Sequence, residues 1–383
     1  MIFAWFVFLP YWSILIDWLQ LFLELRHEVL AIFVAYVILV IDGSKYVKGI
    51  FDKQEPKENK MSNKQSVIGI VSVSSSVAPF PKRLQRSLDE LQNKDFNYVL
   101  CQHALEQDGH RVAHPSGVAS GVMGAFRNES IEKILISTGG VVGNNLLEYL
   151  DYEEIARIYK PICGFSDATP LLLAIYAKTG KITYHGPTLL PCFGDFEGIN
   201  PDTLTSFLEV FIEKKSKFSL PDFPYMIASS QIWDVQDNVK LTIKEVESRS
   251  VVRAGCVSGT LIGGNLNGIL SLLGTDYLPD WTKSIMFIEE SGTSLAQFER
   301  GMYQLRHAGV LSSISGLLVG RFTNTFMSNV QSVEEIAKVL LETVGEDVPI
   351  IMNVACGHTK PQLTLPIGGW AEIEEDGSIV INQ

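Results

Sequence analysis

The chain has 383 residues, 46% hydrophobic and 19% charged, with a formal net charge of −12, which is enough length for two ordinary domains with substantial cores. The acidic balance, with no basic stripe to offset it, excludes nucleic acid as the main partner. Five cysteines (Cys101, Cys163, Cys192, Cys256, Cys356) are widely spaced and form no CxxC pair, which argues against a disulfide framework and for a reducing, cytoplasmic location.

Residues 1–41 differ in kind from the rest: their only full charges are Asp17, Glu24, Arg26 and Glu28. Met1 to Leu23 is long enough to span a bilayer, although Pro10 and Asp17 interrupt it. The unbroken apolar run Val29 to Ile41 falls short of a ~30 Å hydrocarbon core. A cleaved signal peptide is not expected, because no basic n-region precedes the apolar run and no A-x-A-like site follows. Two readings of this segment stay open. In one, residues 1–41 are a membrane anchor, and Lys45, Lys48, Lys53, Lys57 and Lys60 hold the following domain on the cytoplasmic side. In the other, the preferred one, residues 1–60 are an upstream extension read into the chain ahead of Met61.

From Ser66 the pattern is that of an α/β protein. Strands are expected at Val67–Val73, Asn97–Cys101 and Lys133–Ser137, and helices at Pro81–Asn93, Val118–Phe126 and Asn144–Tyr159. A short strand over residues 160–164 then turns into a helix that closes at Thr179-Gly180. Strands alternating with helices predict a parallel, flavodoxin-like sheet over residues 66–190, with a site at the carboxyl ends of its strands. Residues 191–239, broken by Pro201, Pro221 and Pro224, read as a connection. A second, smaller α/β domain is expected over 240–383. It has strands near Lys240–Ile243, Ser284–Ile288, Gly316–Val319, Pro349–Val354 and Ala371–Ile373, and helices near Leu295–His307 and Val333–Val344.

The chemistry concentrates at strand-to-loop corners. Ser166, in Gly164-Phe165-Ser166-Asp167-Ala168-Thr169-Pro170, is either a helix N-cap or a nucleophile at the positive end of a helix. If Asp167 is the cap, accepting from the Thr169 N–H, Pro170 falls at the third helical position and the Ser166 hydroxyl is free. A hydroxyl nucleophile needs a base, and the base an orienting acid. Glu289 and Glu290 end an apolar strand, and only one of two neighbours can face the site. His358 follows another buried strand in a Gly- and Pro-marked loop. His185 is a rival base, ranked lower and read as structural. Cys163 and Cys356 read as buried filler. His103, His110 and His114 make no ligand spacing with acids or cysteines, so neither a metal nor a cofactor is expected. Thr138-Gly139-Gly140-Val141-Val142-Gly143 can form an anion nest but is neither a dinucleotide fingerprint nor a P-loop. Gly263-Gly264-Asn265 reads mainly as close backbone packing.

In this order, Gly164-Phe165-Ser166-Asp167-Ala168-Thr169, Gly263-Gly264-Asn265-Leu266, Phe287-Ile288-Glu289-Glu290 and Cys356-Gly357-His358-Thr359 with Leu363-Thr364-Leu365-Pro366-Ile367-Gly368 resemble the LD-carboxypeptidase family. That family includes murein tetrapeptide carboxypeptidases and microcin C self-immunity proteins. The resemblance covers about Val67 to the C-terminus. It implies a serine carboxypeptidase with Ser166 as nucleophile, His358 as base and Glu289 as orienter, assembled across two domains. It also implies an oxyanion hole of backbone N–H groups at Asp167, Gly139 and Gly140, and a homodimer. The murein-cleaving branch typically has Arg-Gly-Gly-Tyr-Gly at the glycine loop, whereas this chain has Thr138-Gly139-Gly140-Val141-Val142-Gly143, so a murein tetrapeptide becomes the alternative substrate. Thr138 and Ile232-Trp233-Asp234 look more like the microcin-immunity branch. There an aromatic stacks on the adenine of a peptidyl or aminoacyl adenylate, a role that falls on Trp233, with Thr138 and Asn265 as further candidate substrate-binding residues.

Overall fold

The computed structural model describes residues 66–228, 232–322 and 333–383, and the hydrophobic segment with both its readings lies outside them. Among the described residues no helix is long and apolar enough to cross a membrane. The described residues belong to one contact unit, Lys60–Gln383, built around two sheets.

The first half of the chain runs β1 (Val67–Val71), α1 (Pro81–Asn93), β2 (Asn97–Leu100), α2 (Pro115–Arg127), β3 (Lys133–Ile136), α3 (Tyr152–Arg157), β4 (Ile162–Gly164), α4 (Thr169–Thr179) and β5 (Thr183–His185). The five strands are parallel in the order β2-β1-β3-β4-β5, the order of flavodoxin-like sheets. Helix α1 buries Leu84, Leu88 and Leu91 on the face its spacing foretold, and α4 ends at Gly180 with φ of 67°. The helix expected over 144–159 is broken into a single turn, Leu147–Tyr149, and α3. The Asp151 carboxylate accepts from the Glu154 N–H at 2.8 Å, so a new helix starts there.

The stretch read as a connection holds more structure than its weak pattern suggested: α5 (Pro201–Ser206), β6 (Lys217–Ser219) and β7 (Tyr225–Ala228). A widened helical segment, Phe207–Ile212, continues α5 and buries Phe207, Val210 and Phe211. The strand expected at Lys240–Ile243 forms as β8 (Thr242–Glu245). Its four residues are all exposed, and among the described residues it pairs with β7 alone. Charged Lys244 and Glu245 leave it no apolar face to bury.

The remainder contains β9 (Ser250–Arg253), β10 (Val257–Asn265), α6 (Leu266–Leu270), β11 (Ser284–Glu289), α7 (Leu295–His307), β12 (Gly316–Gly320), α8 (Val333–Thr343), β13 (Ile350–Val354), β14 (Leu365–Ile367), β15 (Trp370–Ile373) and β16 (Ile379–Asn382). The second sheet has eight strands against six in the first, in the order β6-β16-β15-β10-β11-β12-β13-β9. Its centre, β10 to β13, is parallel, and antiparallel strands enlarge it on both flanks. Strands β11 and β12 are buried along their whole length, as parallel strands covered on both faces require.

Sheet membership interleaves along the chain. Strand β14, from the C-terminal region, pairs antiparallel with β5 and closes the first sheet, while β6 joins the second. Where the sheets' elements meet, the Asn265 N–H donates to Thr169 Oγ1 at 2.9 Å, tying the end of β10 to the start of α4.

The second core carries the position of β11, β12 and β13. Leu318, fully buried at the middle of β12, tests this: Leu318→Ala is expected to cost about 2–5 kcal/mol, read from the midpoint of urea unfolding at unchanged slope.

Candidate active site

Three carboxyl-terminal strand ends converge. Ser166 follows β4, Glu289 closes β11, and His358 sits four residues beyond β13. Strand β11 alternates its faces, and the two glutamates at its end part company. Glu289 is fully buried and turns toward the histidine. Glu290 turns away: its Oε1 accepts from Asn265 Nδ2 and the Ser291 N–H, and its Oε2 from the Asn267 N–H.

His358 Nδ1 lies 2.7 Å from Glu289 Oε2 and His358 Nε2 lies 3.0 Å from Ser166 Oγ. An Nδ1–H donating to the carboxylate leaves Nε2 as acceptor for the serine hydroxyl. Burial alone would lower the His358 pKa, but the Glu289 charge, its hydrogen bond and the Glu290 charge outweigh burial and raise it. Burial alone would raise that of Glu289, but the His358 charge and hydrogen bond hold it below its usual value.

The backbone at Ser166 is in the left-handed region, with φ of 61°, a conformation that costs a non-glycine residue roughly 1–3 kcal/mol and clusters at functional corners. A single 3₁₀ turn, Ser166–Ala168, then leads into α4. Neither Ser166 nor Asp167, the two candidate caps, caps α4, whose N-cap is Ala168. Asp167 does not close the helix N-terminus, and Pro170 falls in the second helical position, not the third. The Asp167 carboxylate accepts from the Gly143 N–H at 2.6 Å and so clasps the glycine loop to the corner. Burial raises its pKa, against hydrogen bonds from Ser74, Gly143 and Val142.

The glycine loop packs directly against the serine. A side-chain carbon on Gly139 would stand 2.9 Å from Ser166 Oγ and 3.5 Å from the Asp167 backbone nitrogen, so only glycine leaves the hydroxyl uncovered. Gly140 has φ of 154°, and a side-chain carbon there would meet Ser74 Oγ at 2.1 Å. The loop is held from the far side by the Ser74 hydroxyl, which accepts from the Val141 and Val142 N–H groups, and by the Ser75 N–H, which donates to the Gly139 carbonyl.

These residues border a cavity of about 370 Å³ lined by Thr138, Gly139, Gly140, Ser166, His358 and Trp233, with Ser75, Ser76, Phe80, Phe165 and Pro191 completing the wall. Asn265 does not line it. Its Oδ1 accepts from the Gly268 N–H and its Nδ2 donates to Glu290, so its side chain caps α6. The serines after β1 were not singled out in the sequence, although the run Ser74-Ser75-Ser76 directly beyond a strand end is a readable signal. His185 is fully buried between Phe165 and Phe287, and burial lowers its pKa to about 4; among the described residues neither ring nitrogen has a hydrogen-bond partner. It is therefore not the partner of Ser166. Cys163 and Cys356 are buried, and burial raises both pKa values, so neither is a ready thiolate. Among the described residues no cluster of His, Cys, Asp or Glu is arranged to hold a metal ion.

Two family models match the chain: the LD-carboxypeptidase N-terminal domain over residues 68–186 and the LD-carboxypeptidase C-terminal domain over residues 258–373. The microcin C7 self-immunity protein MccF of Escherichia coli is 32% identical over 315 residues, which cover 81% of this chain and 90% of that protein. The solved structure of microcin C7 self-immunity protein MccF in complex with aspartyl sulfamoyl adenosine aligns with a TM-score of 0.77 at 29% identity, covering 86% of this chain and 99% of that one. An MccF-like protein from Bacillus anthracis str. Ames aligns equally well, with a TM-score of 0.77 at 29% identity over 84% of this chain and 98% of that one.

Because the Glu289 carboxylate opposes the effect of burial on His358, the imidazole should titrate above the ordinary 6.5. The raised value stabilises the fold fully below the unfolded pKa, and that contribution fades as pH rises through the folded one. In an NMR titration of the imidazole signals, Glu289→Gln is expected to move the midpoint to lower pH. An unmoved midpoint would mean that the carboxylate does not govern the histidine.

Proposed function

The chain belongs to the LD-carboxypeptidase family and is a serine carboxypeptidase, and from that premise we propose that Ser166, His358 and Glu289 are its catalytic triad, acting on an aminoacyl or peptidyl nucleotide. The observation that carries this reading is the continuous chain of hydrogen bonds from the Glu289 carboxylate through His358 to the Ser166 hydroxyl.

In the proposed mechanism Ser166 Oγ attacks the carbonyl carbon while His358 Nε2 takes its proton. The Nδ1–H stays on the ring and donates to Glu289, whose charge stabilises the imidazolium. Negative charge develops on the carbonyl oxygen, within reach of backbone N–H groups of Asp167 and the Gly139-Gly140 turn, the proposed oxyanion hole. Where the acyl group is joined to nitrogen, as in an amide or an acyl phosphoramidate or sulfamate, collapse of the tetrahedral species breaks that C–N bond, and His358 returns the proton to the leaving nitrogen. Water, deprotonated by the same histidine, then releases the acyl group from Ser166. No step needs a metal or a redox partner.

For the substrate, Trp233 supplies an aromatic wall to the cavity that holds Ser166. The related MccF structure holds aspartyl sulfamoyl adenosine, an aminoacyl nucleoside of the size such a wall would contact. The glycine loop offers Thr138 and Val141 where the murein-cleaving pattern has arginine and tyrosine, which favours the nucleotide over a murein tetrapeptide. Hydrolysis of an aminoacyl-adenylate analogue with no turnover of a murein tetrapeptide is the expected result; the reverse pattern would assign the murein substrate.

Ser166→Ala is expected to keep the wild-type melting temperature and lower kcat by about 10³–10⁶-fold, and to abolish labelling by a fluorophosphonate, whose adduct should map to Ser166 in the wild type. Undiminished hydrolysis by this variant would end the triad assignment. Trp233→Ala should raise KM for the nucleotide substrate by about tenfold, with little change in kcat, as the loss of one base stack worth roughly 1–3 kcal/mol requires.

A further inference from the structure

Arg83 is 1% exposed, and nothing in the chemistry above uses it. Its guanidinium is nonetheless held from several sides. Nε donates to the Leu190 carbonyl at 2.9 Å and Nη1 to Asp237 Oδ2 at 3.2 Å, while Nη2 donates to Asp195 Oδ1 at 2.7 Å and to the Pro191 carbonyl at 3.4 Å. The cation lies 4.7 Å from the centre of the Trp233 ring, within cation–π range.

The segment around Trp233 is fastened at three points to α1 and to Phe80, the residue just before it. Asp234 accepts from the Lys82 and Arg83 N–H groups at the start of α1, both at 2.8 Å. Asp237 pairs with Arg86 as well as Arg83. The Trp233 ring meets Phe80 edge-on at 5.1 Å. Asp195 also has a second partner: its Oδ2 pairs with Lys360, two residues past His358. One carboxylate therefore connects the cation beneath Trp233 with the loop that carries the histidine.

A buried ion cluster of this kind is poor value as stabilisation, since apolar side chains fill such a volume at least as well. What apolar side chains do not supply is direction. The forked guanidinium fixes the bearings of two carboxylates and an aromatic ring at once.

We infer that Arg83 is a positioning residue: it fixes Trp233 as the base-facing wall of the cleft and, through Asp195 and Lys360, sets that wall at a defined distance from His358. The inference rests on the reading above that Trp233 contacts the nucleotide base. A substrate gripped at Trp233 is then delivered in register with the serine, and a substrate that lacks a base gains nothing from the network.

The test compares the wild type with Arg83→Lys, which keeps the charge but loses the fork, and with Asp237→Asn, which keeps the shape of Asp237 and removes its charge. Calorimetric AMP binding is expected to weaken about tenfold in both, in line with a disturbed base stack. KM for an aminoacyl-adenylate analogue should rise in parallel. Hydrolysis of p-nitrophenyl acetate, which carries no base, should stay near the wild-type rate. Equal losses on both substrates would indicate general damage and overturn the inference, as would unchanged AMP affinity in Asp237→Asn. Should Arg83→Lys fail to fold, Asp237→Asn decides alone. Should the wild type itself not bind AMP, the nucleotide reading fails. Positioning is then read from the ¹⁹F resonance of 5-fluorotryptophan at position 233, assigned with Trp233→Phe. A shifted or broadened line in Asp237→Asn supports the network, and an unmoved one overturns it.

Discussion

The constraint on which the rest of the structure depends is the burial of the Glu289 carboxylate. It sits with no solvent exposure at the end of a strand whose every residue is buried. An isolated charge there would be driven to neutrality. It stays ionised because His358 approaches to 2.7 Å, and that approach dictates where the β13 loop must go. The histidine in turn fixes the corner at Ser166, which belongs to the other sheet. The contact of Asn265 with Thr169 then brings the two sheets together at the level where the three side chains meet.

At the serine corner, strain and close packing act together. The positive φ at Ser166 lifts the hydroxyl out of the helix, which would otherwise absorb it as a cap. The cost is offset by the surroundings: Asp167 holds the Gly143 N–H, Ser74 holds the N–H groups of Val141 and Val142 before it, and Gly139 comes close enough that any side chain there would strike the hydroxyl. The loop is thus stiff before any ligand arrives. Preorganised N–H groups stabilise a developing charge without having to reorient, and that is where the larger share of such catalysis lies.

Much of this was legible in the sequence because the signals were local or repeated. Alternating strands and helices gave the parallel order of the first sheet, and each of Ser166, Glu289 and His358 stood directly after an apolar run. What was not legible depended on tertiary partners. Ser166 and Asp167 were both open to reading as caps, the usual task of such residues before a helix; only the fold reveals that the Asp167 carboxylate accepts from the Gly143 N–H instead. Asn265 read as a ligand contact, yet both polar atoms of its side-chain amide are engaged, Oδ1 by the Gly268 N–H and Nδ2 by Glu290. The helix and two strands within residues 191–239 were hidden because prolines and charges diluted their periodicity. Strand β14 was missed because a strand of three residues carries too little pattern to detect.

Glu289 and Glu290 show most directly how neighbouring residues of one type come to do different work. The strand places them on opposite faces, and their surroundings do the rest. Glu289 faces an imidazole and keeps its charge, with its pKa held down. Glu290 faces amide donors and the like charge of its neighbour, and burial is the leading cause that pushes its pKa up. Its hydrogen bonds go to Asn265, to the backbone of Ser291 and to that of Asn267 at the start of α6. It therefore braces the segment that abuts Thr169, and through it the start of α4 just beyond Ser166. Exchanging the two environments would leave the imidazole without a counter-charge and the joint between the sheets without a brace. The position of each residue, odd or even along the pleat, decides which carboxylate meets the imidazole and which braces the scaffold.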